Sequence, residues 1–347
     1  MRVSAHAENP FERAAMAIGG IVPTPLFDSY VALMMARTIM AGVSLGVFEA
    51  LAERPDEAAG LARRCGLDPK GTDILLTALH ALGYVRERDG TYENAPETRR
   101  WLLRGAERSQ ADWTGRFGYD MWEAFGELEH SVRTGESQRM HEMADDDPYW
   151  ERYMRGLFDL SKLTADLLAR QIGAKDPRRL LDLAGGHGGY AMALCRRHPG
   201  LEATIVELEG GARIGRTIVE ENGFAERISY RVGDFFELDL GRDFDVATAF
   251  QIVHHLEPDQ NVELLRRARA ALRDGGTMAV FDLERPPPGK AGTQIGTLTG
   301  MLFYITSNAR TYTADEIASW FDAAGFSRVR RKRDPRTAGS VLVLGRA

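Results

Sequence analysis

The residues most able to do chemistry at short range lie in Arg179–Tyr190, RLLDLAGGHGGY. An apolar run (Leu180, Leu181, Leu183) carries one acid, Asp182, and breaks into five residues of which four are glycine; a helix-compatible segment follows from Tyr190 to Arg197. Glycines let a backbone turn sharply and lie against a ligand, and the helix start behind them offers unpaired N–H groups, so the stretch reads as a strand, a turn and a helix that bind a nucleotide-type ligand. Two ligands compete for it. Gly186-His187-Gly188-Gly189-Tyr190-Ala191 satisfies the dinucleotide pattern G-x-G-x-x-G/A, with Glu207 lying 207 − 188 = 19 residues beyond Gly188 to take a ribose hydroxyl. Against NAD stands Asp182: a carboxylate ending the first strand and aimed into the turn repels a pyrophosphate and suits the ammonium of a methionine moiety. The balance favours S-adenosylmethionine (SAM).

A second group of interest is the pair His254-His255, which closes an apolar run from Phe244. Taken alone, the pair reads as a strand end, one ring capping and one solvated. Cys65 and Cys195 are far apart and in no C-x-x-C pairing, so neither a zinc site nor a disulfide framework is expected. No paired carboxylates at ligand spacing stand beside the glycine turn, and the expected chemistry is metal-independent.

The elements that must position these residues fill a chain of 347 residues, long enough for two domains with a core each. With 44% hydrophobic and 27% charged residues the composition is that of an ordinary soluble protein, and the net charge of −6 argues against nucleic acid or an anionic membrane as primary partner. No apolar run approaches the ~18–20 residues of a membrane span, and the N-terminus lacks a signal-peptide core, so a cytoplasmic protein is expected.

Residues 1–22 are polar and read as an arm. From Leu26 to Leu51 the pattern is helical, with more apolar surface (Val31, Leu33, Met34, Ile39, Val43, Leu45, Val47, Phe48) than one stripe needs. A second copy of the chain is the natural cover, and the helix is expected to make a homodimer. Two short helices follow, Asp56–Cys65 and Asp68–Leu82, then a hairpin, Tyr84–Arg88 and Thr91–Asn94 across Asp89-Gly90. That order is a winged-helix pattern and raises a DNA-binding regulator as an alternative. The charges oppose it: Asp68 and Asp73 accompany Lys70 on the second helix, and Arg86, Glu87, Arg88 and Asp89 nearly cancel at the hairpin tip. Residues 96–176 are helical and rich in aromatics, with breaks at Gly135 and at Asp145–Pro148.

Strands and helices then alternate: strands at 202–208, 227–233, 244–253 and 277–283, and helices at 210–222, 259–273 and 313–324. Alternation means a parallel, doubly wound sheet with ligands at its carboxyl edge. The last two strands, Arg328–Arg333 and Ser340–Gly345, have no helix between them and must pair as a hairpin, which makes the final strand antiparallel. The expected domains are an arm and winged helix at 1–105, a helical layer at 106–176 and the sheet domain at 177–347.

Over roughly residues 25–347 the chain resembles the class I SAM-dependent methyltransferases, and within them the small-molecule O-methyltransferases with an N-terminal winged-helix dimerisation domain. The carrying motifs are LDLAGGHGG, VELE, GDFF and FQIVHHLEPDQ. The resemblance implies an α/β fold with a Rossmann-like seven-stranded sheet ending in an antiparallel hairpin, preceded by a mostly α winged-helix domain. It implies that Asp182, Gly186 and Gly188 form the methionine-side turn, that Glu207 binds the ribose hydroxyls, and that Asp234 and Phe235 meet the adenine. The family's general base, a His after the fourth strand, falls on His254, counted from Asp245; His255 stands where many relatives have Asp. Asp282 roughly matches a family acid after the fifth strand that orients the base. The second such acid, before the last helix, is missing from Thr311–Thr313, and Ala184 replaces the motif's first glycine.

The implied activity is SAM-dependent O-methylation of a small, aromatic hydroxyl compound of secondary metabolism, with S-adenosylhomocysteine as product. C- or N-methylation, or a non-methylating use of SAM, stay open because the acceptor sets the atom. The Gly-rich segment 286–313 is too long for a simple connection and carries Met301, Phe303 and Tyr304; it reads as a lid over an aromatic acceptor or as a helix at a dimer interface. Trp150, Tyr153 and Phe158 from the preceding layer join those three as candidate pocket residues.

Overall fold

The computed structural model describes residues 10–18, 23–337 and 339–347. The chain forms two compact units that divide between Tyr119 and Asp120. Of the polar arm, residues 1–9 and 19–22 lie outside the described residues, and Pro10–Ala17 between them is a helix.

In the N-terminal unit the stretch Leu26–Leu51 is not one helix. A continuous helical run, Thr24–Leu26, the π-turn Phe27–Val31 and Ala32–Ser44, stops at Leu45 because Gly46 adopts φ 72°, and a new helix, Val47–Glu53, sets off in another direction. The second piece is core: Val47, Phe48 and Leu51 pack with Leu61, Leu76, Leu79 and Val85. The first piece leaves Leu26, Tyr30, Leu33 and Met34 exposed at helical spacing, an apolar stripe with no cover within its unit. At 21 residues and mean hydropathy 1.3, Thr24–Ser44 is also long and apolar enough to cross a membrane, contrary to the expectation that no run approaches that length; Asp28 and Arg37 interrupt it without lowering its average far. The helices Ala58–Cys65 and Pro69–Ala81 follow, the latter capped by Asp68, whose side chain accepts from Gly71 N at 2.7 Å. Strands β1 (Val85–Arg88) and β2 (Thr91–Asn94) complete the winged-helix pattern as an antiparallel hairpin.

The C-terminal unit is built on a seven-stranded sheet of β3 (Arg179–Leu183), β4 (Glu202–Glu207), β5 (Ile228–Val232), β6 (Phe244–Phe250), β7 (Leu272–Leu283), β8 (Ser327–Arg333) and β9 (Ser340–Arg346). Their order is β5-β4-β3-β6-β7-β9-β8; β5, β4, β3, β6 and β7 pair in parallel, and β9 runs antiparallel to both of its neighbours. Only the short turn Pro335–Thr337 lies between β8 and β9, too little chain for a crossover, so the pair forms a hairpin with β9 inserted beside β7. Strand order reverses at β3, which is flanked by β4 and β6, and the carboxyl edge at such a switch point is where sheets of this kind bind ligands.

Two elements differ from the expectation, and a third, the Gly-rich connector, takes one of the two forms expected of it. Strand β6 ends at Phe250, and a 3-10 turn, Val253–His255, carries the histidine pair. Strand β7 begins at Leu272, directly off the helix Pro258–Ala271, because Leu272 pairs with Phe244 across an irregular register. The Gly-rich connector contains a helix, Gln294–Ser307, that begins where the Thr293 hydroxyl accepts from Gly296 N at 3.2 Å.

Candidate active site

The glycine turn leaves β3 at its carboxyl end. Ala184 takes φ 55° and Gly186 φ 47°, both left-handed, and only at Gly186 is that conformation free of a side-chain penalty. The turn is held from three sides. Glu207, ending β4, accepts Gly186 N at 2.9 Å and Leu208 N at 2.8 Å; the Tyr230 hydroxyl donates to Gly186 O at 2.9 Å; and the buried His187 ring accepts Gly189 N at 2.9 Å. A side-chain carbon on Gly188 would lie 2.6 Å from Val219, so the turn packs flush on the helix Glu209–Glu221.

Asp182 is 1% exposed; Oδ1 accepts the Thr248 hydroxyl at 2.7 Å, across the β3/β6 register that sets the two residues side by side, and Oδ2 has no hydrogen-bond partner. Burial, opposed in part by Thr248 and reinforced by the nearby Glu207, raises the Asp182 pKa to about 7. Burial likewise lifts Glu207 to about 7 against the pull of its two backbone N–H donors. Two carboxyls that titrate near neutrality, one with an orphaned oxygen, stand beside the glycine turn as acceptors whose chemistry suits a ligand carrying an ammonium and vicinal hydroxyls. Asp234 folds back on its own loop, accepting Phe236 N at 2.7 Å, and the Phe235 carbonyl holds Arg267 at 2.8 Å.

The histidine side is assembled differently. Asn261, fully buried, donates to Val253 O at 3.0 Å and Leu256 O at 3.1 Å and fixes the 3-10 turn. His254, 3% exposed, is gripped at Nδ1 by both Asp282 oxygens, at 2.8 and 2.9 Å. Asp282 is itself held by Leu283 N at 2.7 Å. With Nδ1–H committed to a carboxylate, the tautomer follows: Nε2 keeps its lone pair and is the atom able to accept a proton. Among the described residues no second acid is hydrogen-bonded to the ring. Instead Phe303, from the helix Gln294–Ser307, stacks on it with centroids 3.8 Å apart and planes 6° from parallel. His255 lies 4.1 Å from His254 and 4.6 Å from His141, and the Tyr153 hydroxyl is 2.8 Å from His141 Nε2.

The other expected pocket residues scatter. Trp150 packs on Gly210 and donates its N–H to Ala144 O at 2.9 Å, and Phe158 lies 6.0 Å from the His187 ring under Lys162, so both belong to the glycine-turn side. Tyr304 turns away to donate to Ser131 O at 2.9 Å, and Met301 is exposed. Residues that the motifs did not signal are Tyr230, Thr248, Asn261, Met154, whose sulfur lies over Gly186, and His141. Thr248 becomes visible once the β3/β6 register is known; His141 sits in a polar turn with no pattern around it.

Comparison with known families decides what this arrangement is. Residues 119–327 match an O-methyltransferase domain, and residues 27–104 an O-methyltransferase dimerisation domain. The chain belongs to the O-methyltransferase family. The methyltransferase is 30% identical to 3-hydroxy-5-methyl-1-naphthoate 3-O-methyltransferase of Streptomyces sahachiroi, covering 93% of this chain and 95% of that one. It is 32% identical to acetylserotonin O-methyltransferase of Mus musculus, over 92% and 88% of the two chains. Its fold is that of human N-acetylserotonin methyltransferase in complex with SAM, with a TM-score of 0.82 at 20% identity over 99% of both chains. It is a SAM-dependent methyltransferase, and the glycine turn with its orphaned Asp182 oxygen fits that cofactor. The apolar stripe of Thr24–Ser44 falls almost wholly within the dimerisation domain.

Proposed function

We propose that the methyltransferase O-methylates a hydroxyl of a small aromatic metabolite, with His254 as the general base. The observation that carries this reading is the two-oxygen grip of Asp282 on His254 Nδ1, which leaves Nε2 to take a proton. A phenol with pKa near ~10 is a weak nucleophile at neutral pH, and a positioned neutral imidazole that removes its proton overcomes this. Phe303 holds the face of the imidazole and Asp282 its edge, so the basic nitrogen has one direction. SAM supplies a methyl group on a sulfonium, open to in-line displacement by the acceptor oxygen. On the chain's side, Asp182 would hold the ammonium of the methionine moiety, Glu207 the ribose hydroxyls, and Asp234 with Phe235 the adenine. One relative is named for 3-O-methylation of a hydroxynaphthoate, an aromatic hydroxyl, in keeping with this chemistry. The exposed stripe Leu26, Tyr30, Leu33 and Met34 is covered by a second copy of the chain, making a homodimer.

The test is a panel of phenols and naphthols incubated with methyl-labelled SAM, reading product mass and methyl position. Labelled O-methyl product is expected. His254→Ala should keep SAM affinity and lose ~10²- to 10⁴-fold in kcat/KM, a deficit that narrows at high pH where the phenol ionises unaided. A C- or N-methyl product would overturn the acceptor assignment, and an unaffected His254→Ala would overturn the base.

A further inference from the structure

His141 has no part in the chemistry described above, yet it lies in the same cluster. It belongs to the turn Met140–Glu142, and its ring stands 4.6 Å from His255 and 5.2 Å from Tyr153, edge-on to both. Nε2 is engaged by the Tyr153 hydroxyl at 2.8 Å. Tyr153 is kept in place by a parallel stack on Tyr149, with centroids 5.2 Å apart. Nδ1 of His141 is shut from solvent and has no hydrogen-bond partner. A buried polar atom left unpaired destabilises the fold, so an oriented imidazole with one nitrogen anchored and the other bare is a group awaiting a partner.

We propose that His141 is a specificity-determining residue: its Nδ1 hydrogen-bonds a second, uncharged oxygen of the acceptor molecule, a hydroxyl or carbonyl, and so turns the reacting hydroxyl toward His254. The inference rests on the reading of an aromatic hydroxyl as acceptor. It restricts that reading to molecules bearing two oxygens on one ring system. The charge state of the cluster argues for an uncharged oxygen over a carboxylate. Burial first, and His254 second, lower the His141 pKa to about 4, and burial with its two imidazole neighbours holds His255 well below the ordinary range. Both rings are neutral at pH 7, and the titratable neighbours acting on them are imidazoles alone: His254 on His141, and His254 and His141 on His255. A carboxylate buried here would lack a cation to offset its desolvation, whereas a hydroxyl or carbonyl needs only the hydrogen bond.

Three acceptors on one ring system separate the possibilities: 2-naphthol, naphthalene-2,3-diol and 3-hydroxy-2-naphthoate. With wild-type enzyme the diol is expected to show a KM about tenfold below that of the mono-ol, with the carboxylate weakest. The same order should hold for binding to the enzyme saturated with S-adenosylhomocysteine, measured by calorimetry. His141→Leu should raise KM and Kd for the diol alone and erase the preference. His141→Asn, which keeps a polar atom near the Nδ1 position, should restore part of it, and affinity for S-adenosylhomocysteine should be the same in all three proteins. Equal use of diol and mono-ol by the wild type, or a preference that survives His141→Leu, would overturn the role of His141 while leaving methyl transfer standing. Preference for the carboxylate would overturn the uncharged oxygen. Binding of the diol over the mono-ol without any turnover would support His141 and overturn the proposed acceptor chemistry instead.

Discussion

The two halves of the site are held by different means. The glycine-turn half comes mostly from one run of chain, Asp182 to Glu207, with Thr248 and Tyr230 from the flanking strands, and it is fixed by backbone hydrogen bonds: Gly186 N and O, Gly189 N and Leu208 N all have side-chain partners. The histidine half draws His141, Tyr153, His254, Asp282 and Phe303 from separate segments and is fixed by ring stacking and one buried imidazole–carboxylate hydrogen bond. A site that hangs on backbone tolerates few sequences and leaves a motif. A site built from side-chain faces on separate elements changes with each face, and beyond the FQIVHHLEPDQ stretch that carries His254 it leaves none.

Breaking the histidine half should cost the most rate and the least binding. Asp282→Asn is expected to lower kcat/KM by ~10²- to 10³-fold with SAM affinity intact, because an amide can present N–H to Nδ1 and thereby shift the imidazole proton to Nε2. Stopped turnover with normal calorimetric SAM binding is the signature to look for; a parallel loss of binding would mean the halves are not separable. Breaking the other half should do the reverse. Glu207→Ala removes both the proposed ribose acceptor and the brace on Gly186, and a ~10- to 100-fold weaker SAM affinity is expected, read by calorimetry.

The contrast sharpens with pH. Burial lifts the Glu207 pKa to about 7 in the ligand-free protein, so acid keeps it protonated and alkali frees the carboxylate proposed to accept the ribose hydroxyls. SAM affinity should therefore rise about tenfold from pH 6 to pH 8 and level off above. Glu207→Gln should flatten part of that rise, the remainder belonging to Asp182, which titrates in the same window. A pH-independent SAM affinity in the wild type would contradict the assignment of both groups. The smallest effect is expected at Ala184, an alanine at φ 55° in the turn. Ala184→Gly should relieve about 1 kcal/mol of backbone strain and raise Tm by about 2 °C, with SAM binding unimpaired; a lower Tm would show that the methyl group packs usefully.

The sheet was legible because its signals are local. Apolar runs punctuated by glycine and separated by helical segments announce β3 to β7, and the missing helix between β8 and β9 announces the antiparallel pair. The winged helix was equally legible, down to the Asp89-Gly90 turn. The break at Gly46 was not, since a glycine among apolar residues looks the same in a helix as at its end until its backbone angle is known. Nor was the membrane-length run Thr24–Ser44, where two charges hide an apolar average.

By itself the sequence determined the residues of the glycine turn, because a strand, four glycines and a helix start leave the backbone few alternatives, and it determined that a histidine pair follows the fourth strand. Which histidine meets Asp282 was decided only when β6 and β7 paired in register and the 3-10 turn aimed His254 across 2.8 Å. That Phe303, not a second acid, supports the ring, and that His141 with its bare nitrogen stands beside His255, was decided by the packing of a helix and a turn some fifty and one hundred residues away. Side-chain stacking and orphaned atoms carry no periodicity along the chain, and they come into being only when distant segments share a volume.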